Sequence, residues 1–429
     1  MSEIASQFKS EFLRQFAARG CLYDCTDPEA LDALFARERV TGYIGFDCTA
    51  PSLHVGHALQ IMTLRRLQQA GHKPIVVIGG GTTKVGDPSF RDEARPLLSE
   101  AQIETNKAAI RRTFEHFLTF GDGPSDAIMV DNAEWLDRLE YLPFLREVGR
   151  HFSINRMLTM ETVKIKIDND LPFSFLEFNY MIMQAYDFVE LYRRYGCRLQ
   201  SAGSDQWGNI VSGIDLGRRV ENAQLFGLTT PLITTSSGTK MGKTMSGAVW
   251  LNPEMRSPYD YWQFWRNTED GDVGRFLRLF TDMPEAEIAR LETLQGAELN
   301  EAKKILATEA TALCHGRAAA EDAAETARRT FEEGAAAEGL PTVEMDWSAG
   351  EVSGERGWTL RQADTIVKMS GLATSRSDAR RKIGEGAVRI NDVVITDWKK
   401  EFSVDQVDPQ SGAFKVQYGK KKIVLVKPV

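Results

Sequence analysis

Two histidines three residues apart, His54 and His57, bracket Val55-Gly56 directly after an apolar run. Two lysines three residues apart, Lys240 and Lys243, bracket Met241-Gly242 in the Gly/Ser/Thr-rich stretch from Thr234 to Thr244. Histidines at that spacing share a face at the start of a helix. A helix start offers unpaired N–H groups and a positive dipole end to an anion. Gly56 removes the side chain that would block a flat base or ribose. Two ammonium groups on a loop suit a pyrophosphate whose charge grows as it leaves. Thr49 and Thr244 add hydroxyls near the same phosphates. Either motif alone is also what a capped helix or a solvated loop produces. In this order they predict a bound nucleotide with its phosphates between them.

These residues need strand ends to stand on. Val40 to Asp47 reads as a strand, and Gly56 to Ala70 as a helix with Leu59, Met62, Leu64 and Leu67 at helical spacing. Pro74 to Ile78 is a second strand that runs into Gly79-Gly80-Gly81. Ile103 to Leu118 is helical again, and Ala127 to Val130 is a strand. The rhythm predicts an α/β fold, a Rossmann-like parallel sheet with helices on both faces. Ligands of such sheets sit beyond the carboxyl ends of the strands, where the loops after Asp47 and Ile78 open. From Pro258 to about Phe331 the pattern is helical only, with Trp262, Phe264, Trp265, Phe276, Leu279 and Phe280 on its apolar side. The following Gly-, Ala- and Glu-rich stretch lacks periodicity and reads as a linker. The expected organisation is a catalytic domain at 1–255, an α-helical domain at 256–335, a linker at 336–357 and a small α+β unit at 358–429.

The chain has 429 residues, 42% hydrophobic and 26% charged, which suits a globular protein of two or three domains. No apolar run is long enough to span a bilayer. Met1 to Gly20 forms an amphipathic helix pattern that carries Glu3 and Glu11, unlike a signal or transit peptide. Cys21, Cys25, Cys48, Cys197 and Cys314 are scattered and odd in number, so they read as reduced thiols of a cytoplasmic protein, without zinc. The whole chain carries −8, yet Trp358 to Val429 holds 14 Lys/Arg against 8 Asp/Glu, a net of +6 that leaves −14 for the rest. A basic end on an acidic body predicts a local polyanion contact.

The two motifs resemble the HIGH and KMSKS signatures of class I aminoacyl-tRNA synthetases. Tyr43-Ile44-Gly45-Phe46-Asp47-Cys48-Thr49-Ala50 with Ser52-Leu53-His54-Val55-Gly56-His57 resembles the bacterial tyrosyl-tRNA synthetase family. So do Gly86-Asp87-Pro88-Ser89, Tyr180 to Asp187, and Gly203-Ser204-Asp205-Gln206-Trp207-Gly208-Asn209, in order along almost the whole chain. The resemblance implies that Tyr43 and Asp187 bind the substrate phenol, and that Asp87, Tyr180 and Gln184 surround its ammonium. It places Gln206 near the substrate carboxylate and ring, and Asp47 and Asp205 near the amino acid and ribose. It puts Leu232 and Ile233 under adenine, with Gly56 and Gly203 also on the ATP side. Tyr180, Gln184 and Asp187 have the i, i+4, i+7 spacing of one helix face. Thr49, His54, His57, Lys240, Lys243 and Thr244 would stabilise phosphate charge in flight. ATP is then a substrate, with Mg2+ and no tightly bound cofactor. Tyrosine and tRNA are the other substrates. A homodimer through about 121–175 is implied, and no membrane. Met-Gly-Lys-Thr stands where Met-Ser-Lys-Ser is common, Phe90-Arg91 where Gly-Lys is common, and Cys48 where proline is frequent; Arg91 and Arg95 keep positive charge.

In the last unit, Ser375 with Asp378 resembles a capping box. Arg376 and Arg380 lie one turn apart on the helix that follows, and Ala387 to Ile395 reads as a hairpin. This resembles the small RNA-binding domain first seen in a ribosomal protein. Arg376, Arg380, Arg381, Lys382 and the run Lys420 to Lys422 would then contact phosphates in a salt-sensitive way. Three rivals stay open: a tryptophan-specific synthetase, another nucleotidyltransferase with the His-x-Gly-His site, and a non-catalytic RNA-binding protein derived from a synthetase.

Overall fold

The structure is a computed structural model that describes residues 5–89, 97–238, 241, 243–244, 247–330, 340–348, 351–353, 358–409, 411–419 and 422–429, with the backbone alone at 243–244, 247, 351–353 and 358–359. Two units divide the chain: Met1–Arg256 with Asn267–Cys314, and Ser257–Arg266 with His315–Val429.

The first unit holds a six-stranded sheet. Its strands are β1 (Asp24–Cys25), β2 (Thr41–Asp47), β3 (Lys73–Gly79), β4 (Ile128–Asp131), β5 (Cys197–Gly203) and β6 (Phe226–Thr230), in the order β1-β6-β5-β2-β3-β4. All neighbours are parallel except the edge strand β1. Strand β3 is buried over nearly its whole length, so it reads in sequence as an unbroken apolar run. The order runs outward from β2 through β3 to β4, then restarts at β5. The switch point therefore falls between β2 and β5, and Asp47 and Gly203 end the strands there.

Four helices matter for the site: α1 (Val55–Gln69), α2 (Glu100–Thr113), α3 (Tyr180–Tyr195) and α4 (Trp207–Glu221). The α2 helix opens on a serine cap, Ser99, which accepts from the Gln102 N–H at 3.3 Å. It stops at Thr113, and Phe114–His116 continues as one 3-10 turn where the sequence pattern suggests helix to Leu118. The α3 helix ends at Gly196, whose φ of 61° is left-handed. One core cluster lies between α3 and the sheet and includes Tyr43, Ile75, Val77, Trp135, Phe188 and Leu191.

The helices expected at 256–335 are present but divided between the units. Val273–Phe280 belongs to the first. Its final carbonyls accept from buried Arg66, at 2.8 Å for both Arg278 and Leu279, while Arg19 reaches the Met283 carbonyl at 2.7 Å. Cations at the negative end of a helix dipole tie that helix to the rest of the first unit. Pro258–Arg266 and Arg317–Arg328 pack together in the second unit.

The expected linker at 336–357 needs correction. It supplies two strands, Thr342–Met345 and Glu351–Ser353. Thr342–Met345 pairs in parallel with Lys422–Pro428 and joins the five-stranded C-terminal sheet. Four residues are too few for a readable period, and the partner lies at the far end of the chain. The hairpin Val388–Ile390 to Val393–Ile395 forms as expected, with Asn391 and Asp392 at φ 49° and 65° in its two-residue turn. No helix among the described residues is long and apolar enough to cross a membrane.

Candidate active site

His54 is the N-cap of α1. Its Nδ1 accepts from the Gly56 N–H at 3.1 Å, and His57 Nδ1 accepts from the His54 N–H at 3.2 Å. The rings lie 4.0 Å apart at 34°. A neutral imidazole that accepts at Nδ1 carries its proton on Nε2. Both rings are therefore Nε2–H donors. Gly56 is demanded by this cap, because a Cβ there would lie 2.7 Å from His54 Cε1. A Cβ on Gly203 would lie 2.5 Å from Asp205 Oδ1 and would displace that carboxylate.

These groups open onto a cavity of about 660 Å³ at the switch point. Its lining gathers Tyr43, Asp47, Thr49, His54, Gly56, His57, Asp87, Tyr180, Gln184, Asp187, Gly203, Asp205, Gln206, Leu232 and Ile233. Those residues come from six separated stretches, and they are all the residues expected on the tyrosine and ATP sides except the lysine loop. Lys240 lies outside the described residues. Lys243 and Thr244 are placed by backbone only, paired with Ala248 and Gly247. Arg91 and Arg95 also lie outside the described residues.

At the inner end, Asp187 is buried and accepts from Asn132 Nδ2 at 3.0 Å and Trp135 Nε1 at 2.7 Å. Burial pushes its carboxyl up to about 7 against those two bonds, and Asp47 and Glu190 push the same way. Tyr43 is 2% exposed, and its hydroxyl has no hydrogen-bond partner. Gln184 Oε1 is likewise buried and unpartnered. Burial holds the Tyr43 phenol well above its ordinary value, so it stays a neutral hydroxyl. Tyr180 is also held neutral, by burial and by Asp47 and Asp87. Its hydroxyl donates to Asp47 Oδ2 at 3.1 Å, and Gln206 Nε2 donates to Asp87 Oδ2 at 2.9 Å. Four aspartates, Asp47, Asp87, Asp187 and Asp205, thus line one cavity, which suits a cationic group beside a hydrogen-bonding one.

Asn132, Trp135, Thr82, Gln200 and Ser201 escape the sequence reading. Asn132 and Trp135 follow β4, and no motif marks them. The only local sign is a polar pair, Asp131-Asn132, closing an apolar strand. Gln200 Oε1 and Ser201 Oγ, on β5, are buried without partners.

The helix of the C-terminal unit that starts at Arg376 is capped by Ser375 Oγ, which accepts from the Asp378 N–H at 3.1 Å. The expected box is only half formed. Asp378 reaches back to the Thr374 N–H at 3.1 Å instead of that of Ser375, and it also accepts from Arg381 and Lys382, both at 2.8 Å. Arg376 and Arg380 both bind Asp364, at 2.9 and 2.7 Å, and Asp364 is fully buried. Arg380 also lies 3.9 Å over the Trp398 ring. Lys420 and Lys421 lie outside the described residues.

A family described as class I tRNA synthetases (W and Y) matches residues 36–332, and a tyrosine–tRNA ligase SYY-like C-terminal domain matches 331–426. The tyrosine–tRNA ligase of Nitrobacter winogradskyi is 58% identical over 98% of this chain and 99% of its own length. The chain belongs to the bacterial tyrosyl-tRNA synthetase family. The truncated mitochondrial tyrosyl-tRNA synthetase of Aspergillus nidulans superposes with TM-score 0.68 at 29% identity, over 77% of this chain and 98% of that one. That of Coccidioides posadasii gives 0.65 at 32% identity, over 75% and 92%. Membership in the tyrosyl family sets aside the tryptophan-specific and general nucleotidyltransferase readings.

Proposed function

We propose that this chain activates L-tyrosine with ATP, releasing pyrophosphate, and then passes tyrosine from tyrosyl-adenylate to the terminal ribose of tRNA(Tyr). The observation that carries the reading is the buried, unpartnered Tyr43 hydroxyl on the wall of a cavity that also holds Asp187. The O–H of a substrate phenol donates a hydrogen bond to Asp187, and its oxygen accepts one from Tyr43. Phenylalanine leaves both groups buried and unpaired, a discrimination for which tyrosyl-tRNA synthetases are themselves the standard example.

Asp87, Tyr180 and Gln184 take the ammonium, and Gln206 lies toward the carboxylate. Asp47 and Asp205 hold the adenylate's ribose side, and Leu232 and Ile233 underlie adenine. The substrate carboxylate attacks the α-phosphate without a nucleophilic side chain. Thr49, the Nε2–H groups of His54 and His57, and Lys240, Lys243 and Thr244 stabilise the charge on the phosphates. Catalysis is positioning plus electrostatics. Magnesium enters with ATP as part of the substrate.

Arg376, Arg380, Arg381 and Lys382 contact tRNA phosphates, and the helical region at 256–335 serves the anticodon arm. Two copies pair through about 121–175. Tyr141, Leu142, Ile154 and Phe175 support this, exposed by 65%, 69%, 59% and 69%. The enzyme works in the cytoplasm. Amino-acid-dependent ATP–pyrophosphate exchange tests the reading. Exchange with tyrosine alone supports it, and exchange with tryptophan overturns the roles of Tyr43 and Asp187. No exchange, in a folded protein that binds RNA, favours the non-catalytic alternative.

A further inference from the structure

Behind the tyrosine pocket lies a buried ion pair that the reaction does not touch. Lys107, on α2, places its ammonium 2.5 Å from Asp131 Oδ2 at the end of β4. The two residues are 9% and 6% exposed. Glu104, on the surface side, also meets the ammonium, at 2.6 Å. The other oxygen, Asp131 Oδ1, accepts from the N–H groups of Gly80 at 3.2 Å and Ala133 at 3.0 Å. A Cβ on Gly80 would fall on that carboxylate. The carboxylate thus sits beneath two loop amides, one after β3 and one after β4.

Between those amides stands Asn132, 1% exposed. Its Oδ1 accepts from the Gly81 N–H at 2.8 Å, and its Nδ2 donates to Thr82 Oγ1 and Asp187 Oδ2, both at 3.0 Å. Thr82 in turn donates to Asp47 Oδ1 at 2.7 Å. The preceding residue on α2, Asn106, donates to the Cys48 carbonyl just past β2, at 2.8 Å. Two adjacent side chains of one helix therefore hold the carboxyl ends of β2 and β4. A buried ion pair adds little net stability over an apolar pair of equal volume. What this pair adds is direction, a fixed acceptor beneath two amides.

We propose that Asp131 is a positioning residue for tyrosine recognition, with Lys107 as the partner of its buried charge: Asp131 Oδ1 fixes the loops after β3 and β4, and through Asn132 it sets the Asp187 carboxylate. The proposal rests on the tyrosine-activating reading above. It assigns Asp131 a role in substrate choice although it lines no part of the cavity.

The test compares two full-length variants that both lack the buried charges, K107M/D131N and K107M/D131A. Asparagine keeps the oxygen that receives the two amides; alanine removes it. The readouts are ATP–pyrophosphate exchange with tyrosine and phenylalanine, and thermal melting. The alanine form is expected to show a KM for tyrosine about tenfold higher and a lower tyrosine-over-phenylalanine ratio. Its KM for ATP and its kcat should stay within about twofold of wild type, and the asparagine form should match wild type within about twofold throughout. An unchanged KM for tyrosine in the alanine form overturns the proposal. So does a KM for ATP that rises in step, a tenfold rise in the asparagine form, or failure of either variant to fold. Absence of tyrosine-dependent exchange in the wild type is a separate result and strikes the function itself.

Discussion

The indole nitrogen of Trp135 donates to Asp187 Oδ1 across 2.7 Å, and both side chains are buried. A hydrogen bond to the charged form favours that form. Trp135→Phe keeps an aromatic ring beneath Arg194, which lies 5.0 Å over the indole, but removes the donor. Asp187 should then titrate higher. The pH at which kcat/KM for tyrosine reaches half its plateau should move upward, because that profile reports groups of the free enzyme. An unmoved profile in a folded variant would falsify the role of Trp135.

In the wild type the same carboxyl is pushed up to about 7. The ionised form accepts a hydrogen bond from the phenol, so kcat/KM for tyrosine should rise as pH climbs through about 7 and level off above it. Stability runs the other way. An unfolded aspartate titrates near about 4, so between about 4 and 7 the folded protein binds the extra proton. The contribution of Asp187 to stability is therefore lost as pH rises across that window and is constant beyond it. Urea titrations of wild type and Asp187→Asn across this range should differ in slope, with the flatter dependence in the variant.

Tyr43→Phe removes a buried hydroxyl that has no protein partner. The free protein should lose no stability, because an unpaired buried hydroxyl is a cost. Discrimination between tyrosine and phenylalanine should fall by about tenfold or more. Melting curves and exchange assays on the same preparation check both halves. A large drop in melting temperature would mean that the hydroxyl is paired in the free protein.

Gly56→Ala places a methyl group 2.7 Å from His54 Cε1 and 2.9 Å from its Nδ1. The His54 ring must leave its cap, and the Nε2–H donor moves with it. The maximal exchange rate should fall by about a hundredfold. The KM for tyrosine should hold, since Tyr43 and Asp187 sit on other elements. A variant impaired mainly in tyrosine KM would contradict the assignment of His54 to the phosphates.

Arg380 is held at 2.7 Å by Asp364 and stacked on Trp398, so its guanidinium is oriented in advance. Arg380→Ala should weaken tRNA binding and lower the salt slope of log affinity by about one. Tyrosine-dependent exchange should not change. Filter binding at graded salt separates this outcome from a general loss of fold, which would leave the slope alone.

The strands β2 and β3, α1 with its histidine cap and the Asn391-Asp392 hairpin are all legible in the sequence. Each depends on residues within a turn or a few positions of one another, and period and capping record such terms directly. The residues on the cavity wall are legible because they fall in short motifs whose resemblance to a known family implies their roles, with Tyr180, Gln184 and Asp187 also on one helix face. The helical region is legible as helix but not in its division, because Arg19 and Arg66 capture one helix from more than two hundred positions away. The strand at Thr342–Met345 is hidden because its pairing partner is the last strand of the chain.

The sequence by itself determined the strand ends, through local periodicity, and its motifs' resemblance to a known family implied which side chains would meet ATP and tyrosine in the proposed reaction. Only the tertiary structure decided how those side chains are held. Trp135 and Asn132 on Asp187, and Lys107 on Asp131, are single contacts between distant segments, and a contact of that kind leaves no period or spacing in the chain.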